Sequence, residues 1–258
     1  MMTYNIHRWA GGDRRLDLAR LATVIRVADA DIVGLNEVLH PVTLGCRTVE
    51  PLAELADRLD MYYAFGPSGW IDYGPGWFGP VGNALLSRYP LTEISNMALP
   101  RLPSTRLRSL LGATLAAGPA QGLSAFVTHL DHAFEGTRLW QIRGVLQRIV
   151  QDGPHFVGGD FNTPGFLGRY TRRLLPPVLR LLHSAGYQDA FRVVGEGHGR
   201  TFPSVSPLVR IDFLFFPGRW ARGLRSARTI EGGMMPQVSD HRPLLVEWAW
   251  PTPLPAYT

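Results

Sequence analysis

Apolar and polar positions follow one another along this chain in short blocks, and the period of the pattern changes from block to block. Thr3-Tyr4-Asn5-Ile6 reads as a first strand. After a polar approach from Asp13 to Asp17, the positions Leu16, Leu18, Leu21, Val24, Ile25 and Ala28 recur near helical spacing, and Ala30-Asp31 breaks that helix. Ile32 to Val38 is a nearly continuous apolar run with Glu37 near its end, the pattern of a strand buried on both faces. Val49 to Leu59 predicts a second helix and Tyr62 to Phe65 a strand. From Gly66 to Gly82 the chain is rich in glycine, proline and aromatics, including Trp70, Tyr73, Trp77 and Phe78, which predicts a long irregular loop.

Gly82 to Ser87 returns to a strand. Thr92–Met97, Ser109–Leu115 and Leu123–Leu130 follow at the spacing of a β-meander. Phe134 to Gln151 carries Leu139, Ile142, Val145, Leu146 and Ile149 on one side, with Arg138, Arg143 and Arg148 elsewhere, and predicts the longest helix. His155 to Gly159 predicts a buried strand whose end presents Asp160 and Asn162, with Pro164 closing off further pairing. A short helix around Val178 to Ser184, a strand from Arg210 to Phe216 and a last strand from Leu244 complete the pattern. Helices interrupt the strands too irregularly for strict βαβ alternation, so the expected class is a layered α/β or α+β sandwich. One domain over residues 1–250 and a Pro-rich tail over 251–258 are expected.

Composition narrows the function classes. Of 258 residues, 45% are hydrophobic and 18% charged, as in a folded globular chain. No apolar run approaches the roughly 20 residues that cross a bilayer, and the first residues lack the basic and apolar regions of a signal peptide. The single Cys46 forbids an internal disulfide and fits a reducing cytoplasm, where a monomer is expected. The net charge is +5, and every basic residue is arginine. Arginine forks grip phosphates bidentately, so an anionic substrate is the better expectation, although coding bias also explains the absence of lysine.

Polar residues gather where strands end: Asn5, Glu37, His129, Asp160, Asn162, Asp212 and Ser239-Asp240-His241. Asp160 and Asn162, two apart on an extended chain, share a face and suit a cation or a phosphate oxygen; an Asn-Thr-Pro turn capped by Asp160 explains them equally well. Taken together, so many acids, amides and histidines at apolar strand ends would carry heavy desolvation costs unless they shared partners or a metal.

In order along the chain, Asn5-Ile6, Leu35-Asn36-Glu37-Val38, Thr128-His129-Leu130-Asp131-His132, Gly159-Asp160-Phe161-Asn162, Arg210-Ile211-Asp212 and Ser239-Asp240-His241 resemble the motifs of the endonuclease/exonuclease/phosphatase superfamily. Gly82 to Pro90 and Thr201-Phe202-Pro203 look like its bacterial metal-dependent hydrolases. The resemblance implies a four-layer α/β sandwich, two packed and mostly antiparallel β-sheets flanked by helices. It implies a Mg²⁺- or Mn²⁺-dependent phosphodiesterase, with Glu37 as main metal ligand, Asn5 close by and Asp240 opposite. His241, oriented by Asp212, would act on water or hold the scissile phosphate. Asp160, Asn162 and His129 would orient nucleophile and phosphate oxygens, and Arg106, Arg108 and Asn83 would bind substrate.

Three departures refine the expectation. Asn36 stands where relatives usually carry Gln, which is expected to touch only a secondary contact. His7 and His129 stand where abasic-site endonucleases carry Asp and Tyr, pointing toward the deoxyribonuclease-like, sphingomyelinase-like and phosphatase-like branches. The substrate is then nucleic acid, favoured by the basic balance, or a phospholipid or small organophosphate, favoured by the aromatic stretch Trp70 to Phe78. A phosphomonoesterase and a non-catalytic binding module of the same fold are the alternatives.

Overall fold

The computed structural model describes residues 1–11, 17–72, 77–103, 105–149, 153–165, 175–232 and 235–250. The strands are β1 (Met2–Asn5), β2 (Ile32–Leu39), β3 (Val42–Leu44), β4 (Arg47–Val49), β5 (Tyr62–Asp72), β6 (Trp77–Ser87) and β7 (Leu91–Ala98). They continue with β8 (Ser109–Leu115), β9 (Ser124–His129), β10 (His155–Gly165), β11 (Tyr187–Asp189), β12 (Arg210–Pro217), β13 (Leu224–Thr229) and β14 (Leu244–Trp248). The main helices are α1 (Leu18–Ala28), α2 (Pro51–Leu59), α3 (Glu135–Arg148) and α4 (Pro177–Ser184). Asp17 starts α1 by accepting the amides of Ala19 and Arg20, at 3.0 and 3.1 Å.

One sheet runs β13-β14-β1-β2-β6-β3-β4, with β5 paired to β6; the other runs β11-β12-β10-β9-β8-β7. The joins β1–β2 and β9–β10 are parallel and the rest antiparallel. Three buried clusters set the layers. Leu85, Leu111, Val127, Phe156, Leu214 and Val246 fill the space between the sheets. Val24, Ile25 and Leu55 pack α1 and α2 on the outside of the first sheet, and Ile142, Val145 and Leu182 pack α3 and α4 on the outside of the second. Helix, sheet, sheet, helix is the expected four-layer α/β sandwich, with each sheet mixed.

The expected long loop is not there. Residues 66–72 and 77–82 belong to the β5–β6 hairpin, paired from Tyr62↔Ser87 to Asp72↔Phe78 with a register shift between Pro67 and Gly69. Among the described residues β5 is laddered to β6 alone, so Pro67 withholds no donor from a second strand, and the bulge absorbs the irregular residues. Glycine is required here: a Cβ on Gly82 would stand 2.0 Å from the Gly66 carbonyl oxygen. Strand β10 likewise does not stop at Pro164, because pairing resumes at Gly165↔Arg210 beyond a register shift. Arg138, assigned to the polar side of its helix, is buried; it donates to Asp131 O at 3.0 Å and to Glu135 at 2.7 and 2.9 Å. The hairpin β3–β4 and the strands β11 and β13 were not anticipated, being too short or too charged to show alternation. The tail 251–258 lies outside the described residues.

A methyl group at residue 82 must push β5 off β6. Gly82→Ala is expected to lower stability by about 1–3 kcal/mol, the usual cost of overpacking, measured by urea denaturation.

Candidate active site

Strand register assembles the polar residues. On adjacent strands of the second sheet Asp160 is paired with His129 on one side and with Asp212 on the other, so three side chains start from one rung. In the first sheet Asn5 pairs with Asn36 at the matching end. The two sheet ends meet there: Asn5 Nδ2 donates to Asp160 Oδ2 at 3.0 Å, and the Asp160 amide donates to Asn36 Oδ1 at 2.8 Å.

Asp160 is the hub. It is 2% exposed, and its Oδ2 lies 3.4 Å from His129 Nε2 and 3.8 Å from His241 Nε2. Burial is the largest influence on its carboxyl and lifts it to about 7; neighbouring His241 pulls the other way and Asp212 adds to the rise. His241 places Nδ1 2.9 Å from Asp212 Oδ2, which orients the ring. Burial works against its positive charge, but Asp212 and then Asp160 outweigh it and raise His241 to about 10. The Phe202 ring lies 4.9 Å from the His241 ring, and Thr201 Oγ1 accepts the amides of Ile211 and Asp212, holding the start of β12.

His129 behaves in the opposite way. Burial first, then Arg108 and His241, hold it well below its usual value, so it is neutral. Asn162 Nδ2 donates both to His129 Nε2 at 2.9 Å and to Leu130 O at 3.1 Å. The His129 proton is therefore on Nδ1. Asn162 sits at φ 48° and donates its own amide to Asp160 Oδ1 at 2.8 Å, so the turn reading and the site reading of this stretch describe the same object. Gly158 and Gly159 serve packing: a Cβ would meet Leu214 Cδ2 at 2.6 Å in the first case and Thr128 O at 1.8 Å in the second.

Glu37 is in left-handed backbone, φ 56°, at a register shift in the β2–β6 pairing. It lies in a cleft of about 490 Å³ that Arg106, Arg108, Asn83 and His129 also line. Arg8 Nε is 3.0 Å from Glu37 Oε2, an ion pair without hydrogen-bond alignment, since that buried oxygen has no hydrogen-bond donor. Arg8 was missed in the sequence because it follows the first strand in a short turn, His7–Trp9, with positive φ throughout. Asp240 is the most open acid of the group; its Oδ1 is 3.7 Å from His7 Nδ1. Asn83 is buried, with its amide accepting from Asn36 and donating to Ser109 O. Arg108 is also buried, burial pulls its guanidinium down, and among the described residues that guanidinium makes no hydrogen bond or ion pair.

Two sets of groups can hold a cation. Asp160, Asp212 and His241 offer ligand atoms all within 4.8 Å of one another. Glu37, Asn5 and Asp240 offer oxygens of the kind hard cations prefer. Glu37 Oε2 and Asp212 Oδ1 are buried carboxylate oxygens without a hydrogen bond, which fits a divalent cation at this end of the sheets.

The fold and this strand-end cluster define a two-sheet α/β sandwich with a polar site at the sheet ends, and residues 2–241 match the Endonuclease/Exonuclease/phosphatase family; the chain belongs to it. The uncharacterized protein YbhP of Escherichia coli (strain K12) is 27% identical over 262 residues, covering 96% of this chain and 94% of its own. Among solved structures, an endonuclease/exonuclease/phosphatase from Beutenbergia cavernae superposes with a TM-score of 0.79 at 22% identity, over 96% of this chain and 70% of that one. The mannosyl-6-phosphatase of Bacteroides thetaiotaomicron gives 0.71 at 17% identity, over 96% and 98%. A 3′ phosphatase from Neisseria bound to a DNA hairpin gives 0.67 at 19%, over 96% and 98%. At these identities the structures share the fold. Members of the family hydrolyse phosphoester bonds.

The Asp160 carboxyl, near 3.8 in an unfolded chain and about 7 when folded, binds its proton more tightly in the folded state. The stability this gives is complete at low pH and is lost as pH climbs from about 4 to about 7. In metal-stripped protein, Asp160→Asn removes that loss. The variant is expected to gain on the wild type by up to a few kcal/mol between about pH 4 and about pH 8 in urea titrations. His241 titrates above this window, still raised chiefly by Asp212, although the variant removes the smaller support that Asp160 gives it. A stability difference that does not change with pH would place the Asp160 proton elsewhere.

Proposed function

We propose that this chain is a divalent-metal-dependent phosphoesterase that cleaves a phosphodiester by in-line attack of water. The observation that carries the reading is Arg108: a buried, unpaired guanidinium on the cleft wall, beside a polar cluster with a carboxyl poised near neutrality. An isolated buried charge is costly, and a phosphate in the cleft supplies its counterion.

Glu37, Asn5 and Asp240 would hold Mg²⁺ or Mn²⁺, which when bound polarises the phosphoryl group and steadies the leaving oxygen. Asp160 takes the proton of the attacking water, a role its carboxyl near 7 suits. His241, kept cationic by Asp212, holds a phosphate oxygen. Neutral His129 offers its N–H to another oxygen as charge builds, and Asn162 fixes that ring. Asn83 shapes the cleft wall. Arg106, exposed on the same wall, adds positive charge. The similarity to a mannosyl-6-phosphatase favours a phosphomonoesterase as second reading. Comparing bis(p-nitrophenyl) phosphate with p-nitrophenyl phosphate, with Mg²⁺ or Mn²⁺, decides between them; hydrolysis of neither refutes both.

Asp160→Asn should cut kcat by about 10²–10⁴, the usual weight of a proton-transfer group. Glu37→Gln should raise the metal concentration needed for half-maximal rate.

Arg108→Met should raise KM steeply while raising the melting temperature of the ligand-free protein. An uncompensated buried charge carries a desolvation cost that an apolar side chain of similar length does not. A melting temperature that falls would mean Arg108 is structurally paired.

A further inference from the structure

Residues 202–209, which lead into β12, form a small hairpin. Phe202 and Val209 exchange amide bonds of 3.0 Å in both directions, and the Leu208 amide donates to Phe202 O at 2.9 Å. The turn is braced from outside as well: the Ser204 amide donates to Asp240 O at 2.7 Å, Ser204 Oγ to Ser239 O at 2.8 Å, and Arg242 Nε to Ser204 O at 2.9 Å. This fixed backbone holds two large apolar side chains out in solvent, Val205 at 71% and Leu208 at 69% exposure. Phe134, just beyond the end of β9, is 53% exposed on a backbone held in the same way, its amide donating to Asp131 Oδ1 at 2.8 Å. Leu102 and Leu107 are exposed on the connection into β8.

One exposed leucine needs no explanation, but apolar tips on three connections at the same end of the sheets do. Strands β10 and β9 separate β12 from β8, so these connections are spread over three strand spacings, roughly 14 Å. A ligand seated in the cleft meets one wall; points this far apart are met together by a flat partner. The charge beside them has one sign. Neither 101–108 nor 202–209 contains an acid and Asp131 is buried, whereas Arg101 and Arg106 are exposed among the tips of a chain of net charge +5. We infer that this face docks on an anionic phospholipid surface, with the 202–209 hairpin as its apolar anchor. The side chains enter the boundary of the acyl layer while the arginines face the anionic head groups, and the braced backbone leaves little to be ordered on contact. Nucleic acid would answer the charge but offers no apolar layer to Val205 and Leu208. Docking goes beyond the phosphoesterase reading and does not need it; where that reading holds, the ester is one that the bilayer presents.

Vesicle co-sedimentation of the full chain, without metal, tests the docking apart from turnover. The protein should bind vesicles of equimolar phosphatidylcholine and phosphatidylglycerol, bind phosphatidylcholine vesicles more weakly, and lose the difference as salt is raised. The double variant Val205→Ser/Leu208→Ser should weaken binding to the mixed vesicles about tenfold or more, the weight of two partly inserted apolar side chains. Its melting temperature should stay at the wild-type value, since both side chains already face water. Val27→Ser, on α1 at the opposite end of the sheets and 73% exposed in the wild type, should bind like the wild type. No binding to the mixed vesicles, equal binding to both compositions, or binding that ignores the tip variant overturns the inference. Binding to duplex DNA but not to vesicles overturns it too and gives the face to nucleic acid. Failure of the phosphoesterase reading looks different: vesicles bind, yet metal brings no hydrolysis of any soluble phosphoester.

Discussion

A buried pair of amides joins the two sheets, and the geometry of the polar cluster depends on it. Asn36 of β2 donates to Asn83 Oδ1 at 2.8 Å and to Thr128 O at 3.1 Å, while its own oxygen receives the Asp160 amide. Asn83 of β6 continues the chain to Ser109 O at 3.0 Å. Leu and Val side chains between the sheets supply cohesion without direction, so alone they would tolerate a small slide of one sheet over the other. A buried amide does not, because each lost hydrogen bond leaves an orphaned polar group. Glu37 and Asn5 belong to the first sheet; His129, Asp160 and Asp212 belong to the second. The amide bridge holds these two half-sites in register.

Charge is arranged unequally across the junction. The second sheet brings two buried acids against one histidine, and the result is one carboxyl pushed toward neutrality and one imidazole locked in its cationic form. His129, a few ångströms away but facing Arg108, is driven neutral. Three titratable groups in one cluster, Asp160, His241 and His129, are thus set to three different protonation tendencies by burial and neighbours alone. Arg108 Nε and the Glu37 Oε2 and Asp212 Oδ1 oxygens are left buried without a hydrogen bond.

Much of this was legible in the sequence, and the reasons differ by element. Strands β2, β8, β9, β10 and β12 are largely buried apolar runs, and the polar residues near one end of each stand out against that background. The β5–β6 hairpin was misread because glycine and proline usually mark irregular chain; here they permit two backbones to approach and an edge strand to bulge. The role of Asn36 was underestimated. A shortened amide suggested a minor contact, and only the packing of two sheets shows that it reaches three strands. Arg8 and Arg101 carried no sequence signal, since each sits in a short segment whose conformation is set by tertiary bonds such as Trp9 Nε1 to Leu39 O at 2.7 Å.

Among the described residues strand β5 is laddered to β6 alone, and its outer half lines the cleft. Such a strand can lengthen, shorten or change its side chains without disturbing the ladder that carries the acids. On the proposed reaction, selectivity and reactivity are inherited through different parts of the chain: a lineage could redraw the rim to suit a new ester while leaving the buried polar cluster untouched.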